Sequence, residues 1–299
     1  MSLELCRTPE ERFAALPAYP FAPHHVEVDG VRIHHLDEGP PGAAPVLLLH
    51  GEPSWSFLYR RAVPIIAAAG HRVVAPDLVG FGRSDKPVRR EEHTYQRHVD
   101  WMRSLVEQLE LRDITLVCHD WGGLIGLRLV AEHADRFARV VATNTGLPTG
   151  DVPMPEIWHV FRQHTQQAPE LHVGGLVASG CVTRLPADVI AAYDAPFPDE
   201  SYKAGPRQMP LLVPITPDDP SAAANRSAWE QLARFRRPFL CAFGDSDPIT
   251  RGAAPLLQST VPGARGQPHT TVAGAGHFLP EDRGTELGGI VVDFIAASN

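Results

Sequence analysis

Apolar positions along this chain follow two rhythms. In "HHVEVDG" and "VRIHHLDEG" apolar and polar residues alternate on either side of Gly30, which predicts an antiparallel hairpin. The run "APVLLLHG" is continuously apolar up to His50-Gly51, as a strand covered on both faces requires. Further strands are predicted in "HRVVAPD", ending near Asp77 before a glycine-rich loop, in "ITLVCHD", and in "ARVVATN", ending near Asn144. Two late ones follow in "RPFLCAFGDSD" and "HTTVAGAGH". Between them, "YQRHVDWMRSLVEQLEL" carries helical periodicity, "LIGLRLVAEHADRFA" reads as a helix directly after Asp120, and "RGTELGGIVVDFIAA" closes the chain as a helix. Strands alternating with helices imply a mostly parallel sheet with helices on both sides.

This alternation fails between about Leu147 and Arg234, where proline is frequent, helical pieces are short and strand character is scarce. The stretch reads as a helical lid inserted between core strands, which a fold tolerates when the ends of the insertion lie close together. The expected class is therefore α/β, with residues 1–146 and 235–299 forming the core and 147–234 a helical cap.

Composition narrows the field. A chain of 299 residues suffices for one sizeable core with an inserted lobe. The formal charge of −8 argues against nucleic acid and against anionic membrane surfaces. No apolar run reaches membrane-spanning length, and "MSLELCRTPEERF" has no apolar leader, so a cytoplasmic protein is expected. Cys6, Cys118, Cys181 and Cys241 form no CxxC pair, and Cys118 and Cys241 sit in apolar runs that suit small buried thiols. The histidines form no HExxH or other metal pattern. Nothing demands more than a monomer.

The candidate chemistry centres on "LVCHDWGGLIG". A strand-turn-helix that exposes a nucleophile commonly reads G-x-S-x-G. Here the window is Cys118-His119-Asp120-Trp121-Gly122, with Asp120 in the serine position, Gly122 where helix and strand pass closely, and Cys118 in place of the first glycine. An Asp that merely caps the next helix would look the same within this window. Two distant features favour chemistry. "FGDSDPI" offers Asp245 and Asp247, and "AGAGHFLPED" offers His277; the order nucleophile, acid, histidine is that of an α/β-hydrolase sheet. Asp247 lies further into its loop and is the better acid, Asp245 suits the turn, and Asn144 lacks the charge. In "LLHGEPSWSFLYR" the His-Gly loop would point the backbone N–H of Glu52 into the site, partnered by that of Trp121, as an oxyanion hole. A simple turn explains Gly51 and Pro53 but not their fit with the other features.

Taken together, "HGEPSWSFLYR", "PDLVGFGRSDKP", "HDWGGLIGLR", "YDAPFPDESYKAG", "FGDSDPI" and "AGHFLPED" make the chain closely similar to haloalkane dehalogenases of the α/β-hydrolase superfamily, from about Pro20 to Leu287. The resemblance is strongest to the subfamily with Glu, not Asn, after His-Gly and with its acid in the late loop. It implies that Asp120 attacks a halogen-bearing carbon, that Trp121 donates its indole N–H to the halide, and that a lid tryptophan, here Trp158, supplies the second donor. Trp55 matches a structural tryptophan, and Trp229 reads as packing. Trp158 and Phe161, three residues apart, would share a helical face and line an apolar pocket, with lid packing as the rival reading of Phe161. His277 would activate water and Asp247 would orient it, without metal or organic cofactor. The partners implied are a small apolar halogenated substrate, water and halide. "HDWGG" also occurs in epoxide hydrolases, which would use the same Asp120, His277 and Asp247 but need two lid tyrosines. Tyr193 and Tyr202 exist, yet they lie in "YDAPFPDESY", which already matches a dehalogenase lid. A hydrolase-like binding protein would form no covalent intermediate, and the complete Asp-His-Asp set argues against it.

Overall fold

The computed structural model describes residues 3–298. Its main sheet contains β1 (His24–Val28), β2 (Val31–Glu38), β3 (Pro45–Leu49), β4 (Arg72–Pro76), β5 (Ile114–His119), β6 (Phe137–Thr143), β7 (Phe239–Gly244) and β8 (Thr270–Val272). Their spatial order is β1-β2-β4-β3-β5-β6-β7-β8. The hairpin β1–β2 turns at Asp29 and Gly30, both at positive φ. β2 also pairs antiparallel with β4, and every later pairing is parallel.

Side chains alternate across a strand, so a strand between two helical layers must be apolar at every position. β3 follows this rule. Leu47 and Leu49 join one core, with α2 (Tyr95–Gln108) and α3 (Trp121–Glu132), while Val46 and Leu48 join the other, with α1 (Val63–Ala68). β5 divides likewise, Leu116 and Cys118 against Val117. The helix predicted through "HADRFA" stops earlier, at Glu132. A 3-10 turn over Ala134–Arg136 follows, and Phe137 already opens β6 with its ring buried.

Between β6 and β7 run α4 (Glu156–Gln167), α5 (Val173–Ser179), α6 (Ala187–Asp194), α7 (Ala204–Leu212) and α8 (Ala222–Leu232). The outgoing chain is tied to the returning one. Trp229 Nε1 donates to the carbonyl of Leu147 at 2.8 Å, Asn225 to that of Pro148 at 2.7 Å, and Arg226 to that of Thr149 at 3.2 Å. After β7 come α9 (Ala253–Thr260), α10 (Leu279–Asp282) and α11 (Gly284–Ala297), the last packed on α1. Among the described residues no helix is long and apolar enough to cross a membrane.

Candidate active site

The turn between β5 and α3 holds Asp120 at φ 49° and ψ −122°, a conformation that an L-residue adopts only where its surroundings enforce it. The enforcement is visible. Asp120 N–H donates to the carbonyl of Asn144, and its own carbonyl accepts from Gly123 N–H, Leu124 N–H and the Thr145 hydroxyl. The two glycines after Trp121 allow the helix in. A Cβ on Gly122 would lie 2.0 Å from the Leu49 carbonyl oxygen, and one on Gly123 would lie 1.9 Å from Thr145 Oγ1.

The carboxylate of Asp120 is shared between two sides. Oδ1 accepts from Glu52 N–H at 2.8 Å, and Trp121 N–H adds a further backbone bond. Oδ2 faces His277 Nε2 at 3.6 Å. On the far side of the imidazole, Nδ1 lies 3.2 Å from Asp247 Oδ2 and 3.3 Å from Oδ1. Asp247 is anchored by Ile249 N–H and by the Thr250 hydroxyl. Asp245 instead accepts from Gly274 N–H and the Ser246 hydroxyl, organising the turn.

Charge follows from this geometry. Burial alone would lower the His277 pKa, but the Asp247 charge and the Asp120 contact overcome it and push it up to about 10. Burial would raise Asp120 and Asp247, yet the neighbouring imidazolium holds both carboxyls below the usual range. Glu52 moves the other way. It is buried next to Asp120, which raises its pKa well above that of an ordinary carboxyl, and its Oε1 has no hydrogen-bond partner among the described residues.

Above Asp120 opens a cavity of about 1210 Å³, lined by Glu52, Trp121, Trp158, Phe161 and further mostly apolar side chains. Trp121 packs edge-on against Tyr95, whose hydroxyl is fixed to the Leu124 carbonyl. Trp158 is buried on α4. Trp229 also lines the cavity, but its indole N–H is committed to Leu147, and that of Trp55 is committed to the carbonyl of Ala192.

A family model described as alpha/beta hydrolase fold matches residues 44–283. The chain is 58% identical over 298 residues to the haloalkane dehalogenase of Psychrobacter cryohalolentis, covering 98% of each. The chain belongs to the haloalkane dehalogenases. It is also 53% identical to haloalkane dehalogenase 1 of Mycobacterium tuberculosis, over 95% of this chain and 96% of that one. Among solved structures, the tetrameric haloalkane dehalogenase DpaA from Paraglaciecola agarilytica superposes with a TM-score of 0.91 at 35% identity, covering 99% of each chain.

In this dehalogenase the structure brings Asp120, Asp247, His277, Glu52, Trp121, Trp158 and Phe161 around or beneath one cavity. Sequence reasoning missed a clamp behind the histidine. The carbonyl of His277 lies 2.7 Å from His119 Nε2 and accepts from Asn144 Nδ2 at 3.0 Å. Asn144 also donates to the Gly276 carbonyl and accepts from Gly244 N–H, so one buried amide ties the ends of β6 and β7 to the loop after β8. The sequence marks Asn144 only as a polar residue ending a strand, a weaker candidate than Asp247 to orient His277 for want of charge, with no sign of a brace.

Proposed function

We propose that this dehalogenase hydrolyses a carbon–halogen bond to give an alcohol, a halide and a proton through an alkyl ester of Asp120. The observation that carries the assignment is the split environment of that carboxylate, one oxygen held by the Glu52 backbone N–H and the other facing an imidazole that is itself held by Asp247. A saturated carbon must be displaced from behind, and an ionised carboxylate does this without first losing a proton. Asp120 Oδ2 forms the new C–O bond as the C–X pair leaves with the halide. The indole N–H groups of Trp121 and Trp158 receive that charge, since neither donates to another described residue.

His277 then takes a proton from water, and the resulting hydroxide attacks the carboxyl carbon of the ester. Oδ1, which already accepts from Glu52 N–H, carries the developing charge in the hole formed by Glu52 N–H and Trp121 N–H. Collapse breaks the Cγ–Oδ2 bond, so Oδ2 leaves in the alcohol, which takes the proton of the added hydroxyl; the water oxygen completes the restored Asp120 carboxylate, and His277 gives its proton up to solvent. Asp247 holds the imidazole in register and stabilises its protonated form. In this reading residues 1–146 and 235–299 are the catalytic core and 147–234 the cap, and all of these groups come from a single chain, so a monomer suffices. Epoxide opening lacks its acid, because among the described residues no tyrosine lines the cavity and Tyr193 donates to Glu281.

Replacing His277 by Gln and adding 1,2-dibromoethane should trap the ester, visible by mass spectrometry on the peptide that carries Asp120. Bromide release without an adduct there overturns the assignment. Turnover of a small epoxide but not of 1-bromobutane would favour the rival chemistry.

A further inference from the structure

The turn that carries His277 is held from two sides. On one, the His277 carbonyl is clamped in the core by Asn144 and His119. On the other, its neighbours' N–H groups reach towards the insertion between β6 and β7. Phe278 N–H donates to the carbonyl of Gly180, the residue that ends α5. Gly276 N–H donates to Asp282 Oδ2 at 2.8 Å. The same Oδ2 accepts from Val182 N–H at 3.0 Å, and Oδ1 accepts from Thr183 N–H at 2.7 Å. One buried carboxylate thus joins the turn of the base to the cap segment that follows α5.

The two segments fit closely. A Cβ on Gly276 would lie 2.4 Å from the Gly180 carbonyl oxygen, and one on Gly180 would lie 2.7 Å from the Phe278 ring. Neither segment can slide without moving the other. Asp282 itself stands on an anchored helix, α10. Its neighbour Glu281 accepts from Arg60 of the core at 2.5 and 2.7 Å and from the Tyr193 hydroxyl of α6 at 2.5 Å. Hydrogen bonds to an ionised acceptor are roughly twice as strong as neutral ones, so three N–H donors on one carboxylate make a firm joint. Asp282 is not among the residues that line the cavity, so it touches no substrate there.

We propose that Asp282 is a positioning residue for the hydrolytic step, tying the alignment of His277 to the seating of the cap. This rests on the dehalogenase reading above and goes beyond it. The two chemical steps then depend on the joint differently. Displacement of the halide uses Asp120 on the β5–α3 turn and the indoles of Trp121 and Trp158, none of which bonds to Asp282 or to its three donors. Hydrolysis needs His277 in line with a water and the ester carbon, where a misplacement of about 1 Å costs about a hundred-fold. A cap lifted from its seat therefore leaves alkylation intact and strands the ester.

The test is Asp282→Ala during turnover of 1-bromobutane. Acid-quenched samples give the ester on the Asp120 peptide by mass spectrometry and the butanol formed, hence the rate of hydrolysis per ester present. Unfolded chains drop out of that quotient, because they form no ester. The variant should lower it by about ten-fold or more, as for a general base that has lost its alignment. Meanwhile kcat/KM for bromide release per folded enzyme, which ends at the irreversible displacement, should stay within about two-fold, so that KM falls with kcat. An unchanged quotient overturns the proposal, and so does a kcat/KM that falls as far as the quotient, the mark of general damage to the site. Should Asp282→Ala fail to fold, Gly180→Ala makes the same test from the cap side, since its methyl must push the Phe278 ring or the cap backbone aside. Its quotient should fall by about three-fold or more, and an unchanged one overturns the proposal. Absence of bromide release by the wild type would instead refute the dehalogenase reading itself, which separates the two failures.

Discussion

Replacing Asp120 by Asn removes one of the two negative charges that flank His277 while keeping the shape of the side chain. Two unit charges 3.6 Å apart, the Asp120–His277 separation, interact by about 4.6 kcal/mol at an effective dielectric of ~20. Asp120 is about a fifth exposed at the cavity floor, so water trims that figure. At 1.36 kcal/mol per pH unit, the variant should titrate His277 about two to three pH units lower than the wild type. The wild-type imidazole should hold its proton until about pH 10. Nitrogen-15 NMR of the ring through a pH titration of both proteins reads this directly. An identical titration in the two, or a wild-type ring that titrates at its ordinary 6.5, refutes the reasoning.

In the proposed mechanism the same subtraction occurs in each catalytic cycle. Esterification neutralises Asp120 and leaves His277 with only Asp247 as a charged partner, which makes the ring neutral, and hence a base, near physiological pH. The base is switched on by the step that creates its substrate. Stability follows the same titration: a pKa raised by folding contributes stability that is complete below 6.5 and is lost as pH rises towards 10. Between pH 8 and 9 the wild type should still be losing up to ~1.36 kcal/mol per pH unit from this group, while Asp120→Asn should have nearly finished doing so.

Trp158→Phe keeps the ring and removes its N–H. Bromide release in the first turnover should slow by about 10²-fold, measured by rapid quench, as for loss of one aligned donor to a developing anion. Asn144→Ala leaves Gly244 N–H and the carbonyls of Gly276 and His277 without this partner, so urea unfolding should show a loss of roughly 3 kcal/mol. Glu52→Gln tests the buried acid. A carboxyl whose pKa is raised by folding costs stability as pH rises above its unfolded 4.5, so the amide should abolish that decline, seen as a gain over wild type that grows with pH.

Much of this architecture could be read along the chain because burial on both faces of a parallel sheet writes itself as unbroken apolar runs. "APVLLLHG" became β3, with alternate residues in opposite cores. Asp120 was legible because a helix that starts tight against a strand needs small residues, and Gly122 and Gly123 announce it. That Asp247 meets the His277 ring while Asp245 bonds within the turn follows from their positions in the loop. What escaped was everything set by convergence of distant strand ends. His119 and Asn144 look like ordinary terminal residues until β5, β6 and the loop after β8 place them on one carbonyl. The exposed apolar rim of the cavity escaped for a related reason. Val152 and Val182 lie in the lid and Leu256 on α9, and they share no period, since only the packing of lid on core brings them to one opening.

In the proposed mechanism the nature of the halide donors follows from the choice of nucleophile. An Arg or Lys beside the leaving halogen would bind the anion more strongly than an indole, but it would also pair with Asp120 and neutralise the attacking carboxylate before substrate arrived. An indole N–H lends a dipole without a charge, so it stabilises a halide while competing little for Asp120. The cavity lining respects that constraint. Its one fixed cation, Arg251, is exposed, whereas the charge that Asp120 does meet, His277, approaches from the side opposite the backbone donors and has its proton acceptor role restored once the ester forms. A lysine substituted for Trp158 should therefore strengthen halide binding at equilibrium and yet slow alkylation, a combination that a site limited by anion affinity alone would not produce.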